Sequence, residues 1–200
     1  MTSQTLPIDE DDPRRAAILA AAVEVFARYG FKRTAMEDIA RAAGVSRAAL
    51  YLHYRNKQDI FRSLVQGYFE LTEARMQAAL VPGRDPEQAL QGAFEAKLGP
   101  EMMPLIESPH GEELLDANFA TAADLVEAAE ARLAAKIADW LRAEAAAGRV
   151  SLAAFDGDAA ALAEAMIAAL HGLKHQVDSY AALKAAMVRL ARLFARGVRA

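Results

Sequence analysis

Residues 34–57, TAMEDIARAAGVSRAALYLHYRNK, constrain this chain more than any other stretch. Thr34 followed by Glu37 has the spacing of a capping box and predicts a helix start. Ile39, Ala40 and Ala43 then recur on one face at helical spacing. Gly44 is placed to stop that helix, because the residue after a helix end commonly takes the left-handed conformation that glycine reaches cheaply. Val45 is placed to plug the corner. Ser46 caps a second short helix, 47–54, with Leu50 facing inward. Two short helices joined by a glycine-containing turn, the second rich in Arg, Tyr and His, predict a helix-turn-helix that enters the major groove of DNA.

These residues resemble the TetR family of one-component bacterial regulators. The resemblance runs from Ile18 to Leu64. It is carried by Val25-Phe26-Ala27-Arg28-Tyr29-Gly30-Phe31, Thr34, Asp38-Ile39-Ala40, Ala43-Gly44-Val45-Ser46, Leu50-Tyr51-Leu52-His53-Tyr54 and Asn56-Lys57. It implies an all-α fold, with an N-terminal three-helix DNA-binding domain and a C-terminal six-helix ligand-binding and dimerisation domain. It also implies a homodimer on a palindromic double-stranded operator, released by a small-molecule effector, and a repressor rather than an enzyme. Ala48 and Ala49 depart from the family's commoner glycine and hydrogen-bonding residue. Leu52 replaces a frequent aromatic and is expected to pack inward.

Phosphate contacts give affinity and register, whereas base contacts carry sequence information. Thr34 and Lys57, each at a predicted helix start, are the candidate phosphate contacts. Arg47, in the first turn of the recognition helix, can bind guanine O6 and N7 together, or a phosphate. Ser46 and Ala48 flank it, and Ala49 can touch a thymine methyl. By the resemblance, Tyr51, His53 and Tyr54 face the DNA backbone or base edges; Tyr54 fits equally well as packing beneath the helix. One short helix reads only a few base pairs, so two heads about 34–36 Å apart, or a multiple of that, are expected on one operator.

The net charge of −4 over 200 residues hides an uneven distribution. Residues 13–62 hold ten Lys/Arg against four Asp/Glu, whereas residues 1–12 hold four acids and no base. A basic head on an acidic body is the footprint of a DNA-binding module joined to something else. With no cysteine the chain has no disulfide, thiol nucleophile or thiolate-held metal. No apolar leader opens the chain and no stretch nears the roughly 20 apolar residues of a membrane span, so a cytoplasmic protein without membrane contact is expected.

Residues 1–12 read as a disordered acidic tail, 13–58 as the DNA-binding domain, and 59–200 as the ligand-binding and dimerisation domain. Asp12-Pro13 starts a helix to about Tyr29. Asn56 and Asp59 resemble a capping box opening a helix over 57–80. Further helices are expected over 86–98, 111–119, 122–147 (capped by Thr121 with Asp124), from Asp156 or Asp158 to 177, and 179–198. Phe69, Met76, Phe94, Met102, Met103, Phe119 and Trp140 are the candidates to line an effector cavity, methionine adapting well to varied apolar guests. Leu162, Met166, Leu170 and Leu173, with Leu183, Met187, Leu190 and Phe194, form stripes expected to pair across a two-fold axis. His171 and His175 stand at i, i+4 with Asp178 beyond, but no second cluster completes a tetrahedron, so no metal or other cofactor is assigned. The rival readings are a DNA-binding dimer without an effector and an all-α enzyme; the latter lacks a nucleophile–base pair or phosphate loop.

Overall fold

In a computed structural model of the chain, residues 12–173, 177 and 179–200 are described, with side chains except at 105, 106 and 115–120. The fold is all-α. Among the described residues nine α-helices follow one another: α1 Pro13–Tyr29, α2 Met36–Ala42, α3 Arg47–His53, α4 Lys57–Ala79, α5 Pro86–Lys97, α6 Met103–Ile106, α7 Gly111–Ala146, α8 Ala159–Leu173 and α9 Tyr180–Gly197. An isolated antiparallel bridge joins Val150 to Arg199. The expected residues 1–11 of the acidic tail lie outside the described residues.

Most boundaries follow from local chemistry. Asp12 accepts from the Arg14 and Arg15 N–H groups, and Pro13 at the first helical position loses no hydrogen bond. Ser46 accepts from the Ala49 N–H at 3.1 Å. Gly44 takes φ +66° between α2 and α3. Asn56 accepts from the Asp59 N–H at 2.8 Å, while Asp59 reaches back to the Arg55 N–H. Asp158, rather than Asp156, caps α8 by accepting from the Ala160 and Ala161 N–H groups.

The predicted start of α2 needs correction. Asp38, not Glu37, closes back onto the chain by accepting from the Ala35 N–H, so the helix begins two residues after Thr34. α7 runs through both helices expected around residue 120. The break survives as one non-helical residue, Ala122, at φ −138° and ψ 24°.

Packing divides the chain into two compact units: residues up to Leu71 with Met103–Val126, and Thr72–Met102 with Glu127–Ala200. A single cut after residue 58 does not describe this grouping, because residues 103–126 are tied to the head. Ser108 donates to the Ala27 carbonyl at 2.7 Å, Glu113 accepts from the Lys32 N–H at 2.7 Å, and Arg62 clasps Asp124 at 2.6 and 2.7 Å. Gly30, at φ +79° and ψ 159°, leaves room for Glu113: a Cβ there would lie 2.5 Å from its carboxylate.

In the first unit Ile18, Ala22, Ile39, Leu50 and Ile60 are fully enclosed. Phe26, Phe31 and Phe61 meet with ring centroids 5.1–5.8 Å apart in tilted and edge-on contacts. In the second unit α5 packs along α9, with Phe94 edge-on to Phe194 at 6.3 Å. Leu133, Ile137 and Leu141 of α7 are buried there with Met166, Leu170, Leu183 and Met187.

Candidate nucleic-acid interface

α3 has a clear inside and outside. Leu50 is fully buried and Tyr54, just beyond the helix, is 5% exposed. The Tyr54 hydroxyl accepts from Arg15 Nε at 3.1 Å, so Tyr54 is packing beneath the helix rather than a ring offered to DNA. His53 is half-buried, with Nδ1 3.4 Å from Asp12. The outward face is Arg47, Ala48, Tyr51, Leu52 and Arg55, all exposed, with Ala49 half-buried at its edge and Ser46 at its start.

Leu52 corrects the sequence reading: it is 86% exposed. The signal was available, since two residues along a helix turn the side chain about 200°, so Leu50 and Leu52 cannot share a face. Leu52 therefore adds an apolar knob to the outward face that also carries Arg47 and Tyr51.

Arg47 reaches outward but is not idle. Its guanidinium lies 2.9 Å from the Glu37 carboxylate of α2 and over the Tyr51 ring at 5.5 Å. Both partners of the ion pair are about half exposed or more, and such pairs contribute only about 0–1 kcal/mol. The arginine is thus aligned by contacts weak enough to give up to a base. Glu37 was read as a capping residue; nothing local in the sequence signals a pair across the turn.

The two proposed phosphate contacts are redirected. Thr34 is buried and its hydroxyl donates to the Gly30 carbonyl at 2.7 Å, so that hydroxyl is spent inside the head. Lys57 Nζ donates to the carbonyls of Phe31, Lys32 and Thr34 at 2.8, 3.0 and 2.9 Å and lies 5.0 Å from the centre of the Phe31 ring. An ammonium has three donors, and all three are used here. Lys57 is a staple on the α1–α2 turn. Asp38, held below the usual carboxylate range by the Ala35 N–H and by Arg41 beside it, completes the start of α2.

The residues expected to line an effector cavity are mostly core. Phe69 in the first unit, and Met76, Phe94, Met102 and Trp140 in the second, are buried in packing. Met103 is exposed, and the Phe119 side chain lies outside the described residues. The Trp140 indole N–H is buried with no hydrogen-bond partner among the described residues. The second unit does carry an open groove of about 620 Å³ between α7 and α8. Its walls are largely alanine methyls, with Glu130 and His171 toward one end and Arg142 toward the other.

The dimer stripes also need correction. Leu162, Met166, Leu170, Leu183 and Met187 are enclosed within the second unit, and Leu173, Leu190 and Phe194 are half-buried. The five enclosed residues are spent on the protomer's own core. What α8 turns outward is Ala161, Glu164, Ala165 and Ala168; α9 turns out Ala182, Ala185, Arg189 and Leu193, the last 65% exposed. His171 Nδ1 lies 3.5 Å from Glu130, which pairs with the buried Lys97 at 2.6 Å. Burial works to raise the Glu130 carboxyl, but the Lys97 ammonium and His171 outweigh it and keep it below its usual range. His175 and Asp178 lie outside the described residues. No helix among the described residues is long and apolar enough to cross a membrane.

Residues 18–64 match the family model described as bacterial regulatory proteins, tetR family. The transcriptional activator FasR of Mycolicibacterium smegmatis is 36% identical over 91 residues, 46% of this chain and 40% of that protein. The transcriptional repressor BepR of Brucella suis is 38% identical over 85 residues, 42% of this chain and 41% of that protein. The match thus spans about two fifths of each curated relative's length. Over nearly the whole chain the fold is similar to that of SmeT, the repressor of the Stenotrophomonas maltophilia multidrug efflux pump SmeDEF. The TM-score is 0.70 at 19% identity, covering 95% of this chain and 92% of that one.

Proposed function

For a chain that belongs to the TetR family of bacterial transcriptional regulators, we propose a homodimeric repressor that reads a palindromic operator through α3 and is released by a small-molecule effector. The observation that carries this is the outward face of α3. Arg47, Tyr51 and Leu52 are exposed on a helix anchored by Leu50 and Tyr54, and the surrounding segment 13–62 has a strong positive excess. Arg47 supplies a fork for guanine, Ala48 and Leu52 supply methyl contacts for thymine, and Tyr51 a hydroxyl for phosphate or base.

The test is selection of bound sequences from random duplexes. An inverted repeat should emerge, with half-sites about one helical turn apart or a multiple of it. Arg47→Ala should cost about 1–3 kcal/mol per half-site and relax preference at one symmetric pair of positions. Equal weakening on operator and scrambled DNA would make Arg47 a phosphate clamp instead.

The partner face that fits best is the outer side of α8 and α9. Residues 150–173 carry Asp156, Asp158 and Glu164 and no Lys or Arg, whereas 179–200 carry five basic residues and no acid. In a two-fold pairing the acidic stretch 156–164 of each copy would meet the basic α9 of the other, around the exposed Leu193. Leu193→Glu should give a monomer by sedimentation. The groove between α7 and α8, within the usual size range of ligand pockets, supports an effector. A thermal-shift screen with apolar, cationic and anionic sets tests it, since a ligand of the folded state raises the melting temperature by mass action. If no class raises it, the dimer acts without an effector. The sign of regulation is tested by reporter output in a deletion strain, which a repressor raises.

A further inference from the structure

Beside the α1–α2 turn, a second cluster of side chains is left unused by the face of α3. Arg28 and Tyr29 from the end of α1, Arg33 from the turn, Asp38 from α2 and His110 from the segment before α7 line one crevice of about 200 Å³, all within the first unit. Arg28, Arg33 and Tyr29 are exposed, and His110 is half-buried. Neither Arg28 nor Arg33 has a carboxylate at ion-pairing distance among the described residues. The nearby acids are engaged elsewhere. Asp38 is taken by the Ala35 N–H at 3.0 Å and Arg41 at 2.5 Å, and Glu113 accepts from the Lys32 N–H at 2.7 Å. Glu113 also lies 3.9 Å from His110 Nδ1, which adds a further donor edge to the crevice when protonated.

We propose that this crevice is a phosphate-binding site, in which the guanidinium groups of Arg28 and Arg33 take the non-bridging oxygens of one phosphate and Tyr29 and His110 donate from its rim. A guanidinium fork presents paired N–H donors at a spacing suited to phosphate oxygens, and such charge-assisted bonds are about twice as strong as neutral ones. Two like charges that share a crevice, with its one carboxylate, Asp38, already bonded to Arg41 and the Ala35 N–H, gain from an anion between them. The small volume suits a single phosphate and part of its ester rather than an extended chain. The phosphate can come from the backbone of duplex DNA or from a free phosphorylated small molecule. The first source rests on the reading of this chain as a DNA-binding regulator; the second does not.

The location gives an anion there mechanical consequences. The crevice borders the turn whose N–H is held by Glu113 and whose carbonyls are held by Lys57. A phosphate bridging Arg28, Arg33 and His110 would tie the end of α1, the turn and the start of α7 together.

The experiment uses the full chain in wild-type form, as Arg28→Ala/Arg33→Ala, as the charge-keeping Arg28→Lys/Arg33→Lys, and as Arg84→Ala as a remote control, Arg84 being exposed in the second unit. Each is titrated with inorganic phosphate while the ring resonances of Tyr29 and His110 are followed. Each is also bound to a random-sequence duplex across a salt series. Phosphate-dependent shifts are expected in wild type and the Arg84 control, weakened about tenfold or more in the double alanine variant and partly restored in the lysine variant. If the DNA backbone is the source, the double alanine variant also loses about 2 per subunit from the slope of log K against log salt. Phosphate shifts with an unchanged slope assign the site to a free phosphorylated ligand. The proposal is overturned if phosphate binds the double alanine variant as it binds wild type. It is equally overturned if phosphate perturbs neither ring and the salt slope is unchanged. Should wild type bind no DNA at all, the reading as a regulator fails while the phosphate titration still decides the site.

Discussion

Glu37 holds a carboxylate next to the one arginine best placed to read a base. The Arg47–Glu37 pair is solvent-exposed and cheap to break, yet on the proposed reading it must be broken, or turned aside, for Arg47 to enter the groove. The same carboxylate repels the phosphate backbone. Glu37→Gln keeps the shape and removes the charge, so it is expected to tighten DNA several-fold, mostly without regard to sequence, and to steepen the salt dependence. A gel-shift series at two salt concentrations measures this; unchanged or weaker binding would mean that Glu37 pre-aligns Arg47 rather than competing for it. Lys57 gives the opposite expectation to a surface lysine. Its three bonds to the turn carbonyls make Lys57→Ala destabilising by about 1.5–3 kcal/mol, since hydrogen bonds from charged donors contribute that much. Urea titration should show the loss, with the salt slope of DNA binding in the folded variant nearly unaltered.

Among the elements, α7 has two characters joined at Ala122. Its opening segment belongs to the packing of the head, and Arg62 of α4 fastens it by a two-pronged contact with Asp124 and a third bond to the Thr121 carbonyl at 3.0 Å. The arginine pulls the Asp124 carboxyl from 3.8 to about 2. Because the folded value lies below the unfolded one, the pair's contribution is complete above about pH 4 and fades as the pH falls toward 2. The urea midpoints of wild type and Asp124→Asn should therefore differ at pH 6 and converge near pH 2. A gap that stays constant across that range would assign the effect of the substitution to something other than the charge. The Thr121–Asp124 spacing was expected to mark a capping box; in the folded chain the aspartate's main partner is an arginine more than sixty residues earlier.

For the molecule as a whole, one costly arrangement is the Lys97 charge buried in the second unit. Lys97 is almost fully enclosed, and burial pulls its ammonium below the usual lysine range while Glu130 at 2.6 Å pushes back. Breaking a buried pair by removing one partner is destabilising by about 3–5 kcal/mol, whereas replacing both by apolar groups is often nearly neutral. Glu130→Leu alone should therefore lower the melting temperature sharply, and Lys97→Met/Glu130→Leu should recover most of it. If the double variant is no better than the single, the pair is needed for something other than mutual neutralisation. The groove that Glu130 borders makes that a question about ligand as well as stability.

The sequence by itself determined the features that act over a few residues. The Asp12-Pro13 start, the Ser46 cap, the left-handed Gly44 and the inward Leu50 are read correctly because each is decided by bonds within one helical turn. The all-α class and the helix-turn-helix head follow from them, and the family model, matching residues 18–64, covers the last three. Tertiary structure decided where the longer-reaching groups spend their interactions. Lys57 looks like a phosphate contact along the chain, but its ammonium finds the carbonyls of Phe31, Lys32 and Thr34, which come close only when α4 packs on the turn, whereas Thr34 spends its hydroxyl locally on the Gly30 carbonyl. The apolar stripes of α8 and α9 are legible as stripes, yet a periodic face does not say whether it meets its own core or a second copy. Here the core takes Leu162, Met166, Leu183 and Met187, and leaves alanines, Leu193 and opposite charges outside. Periodicity reports only that a face is buried, and which surface buries it depends on residues tens to hundreds of positions away.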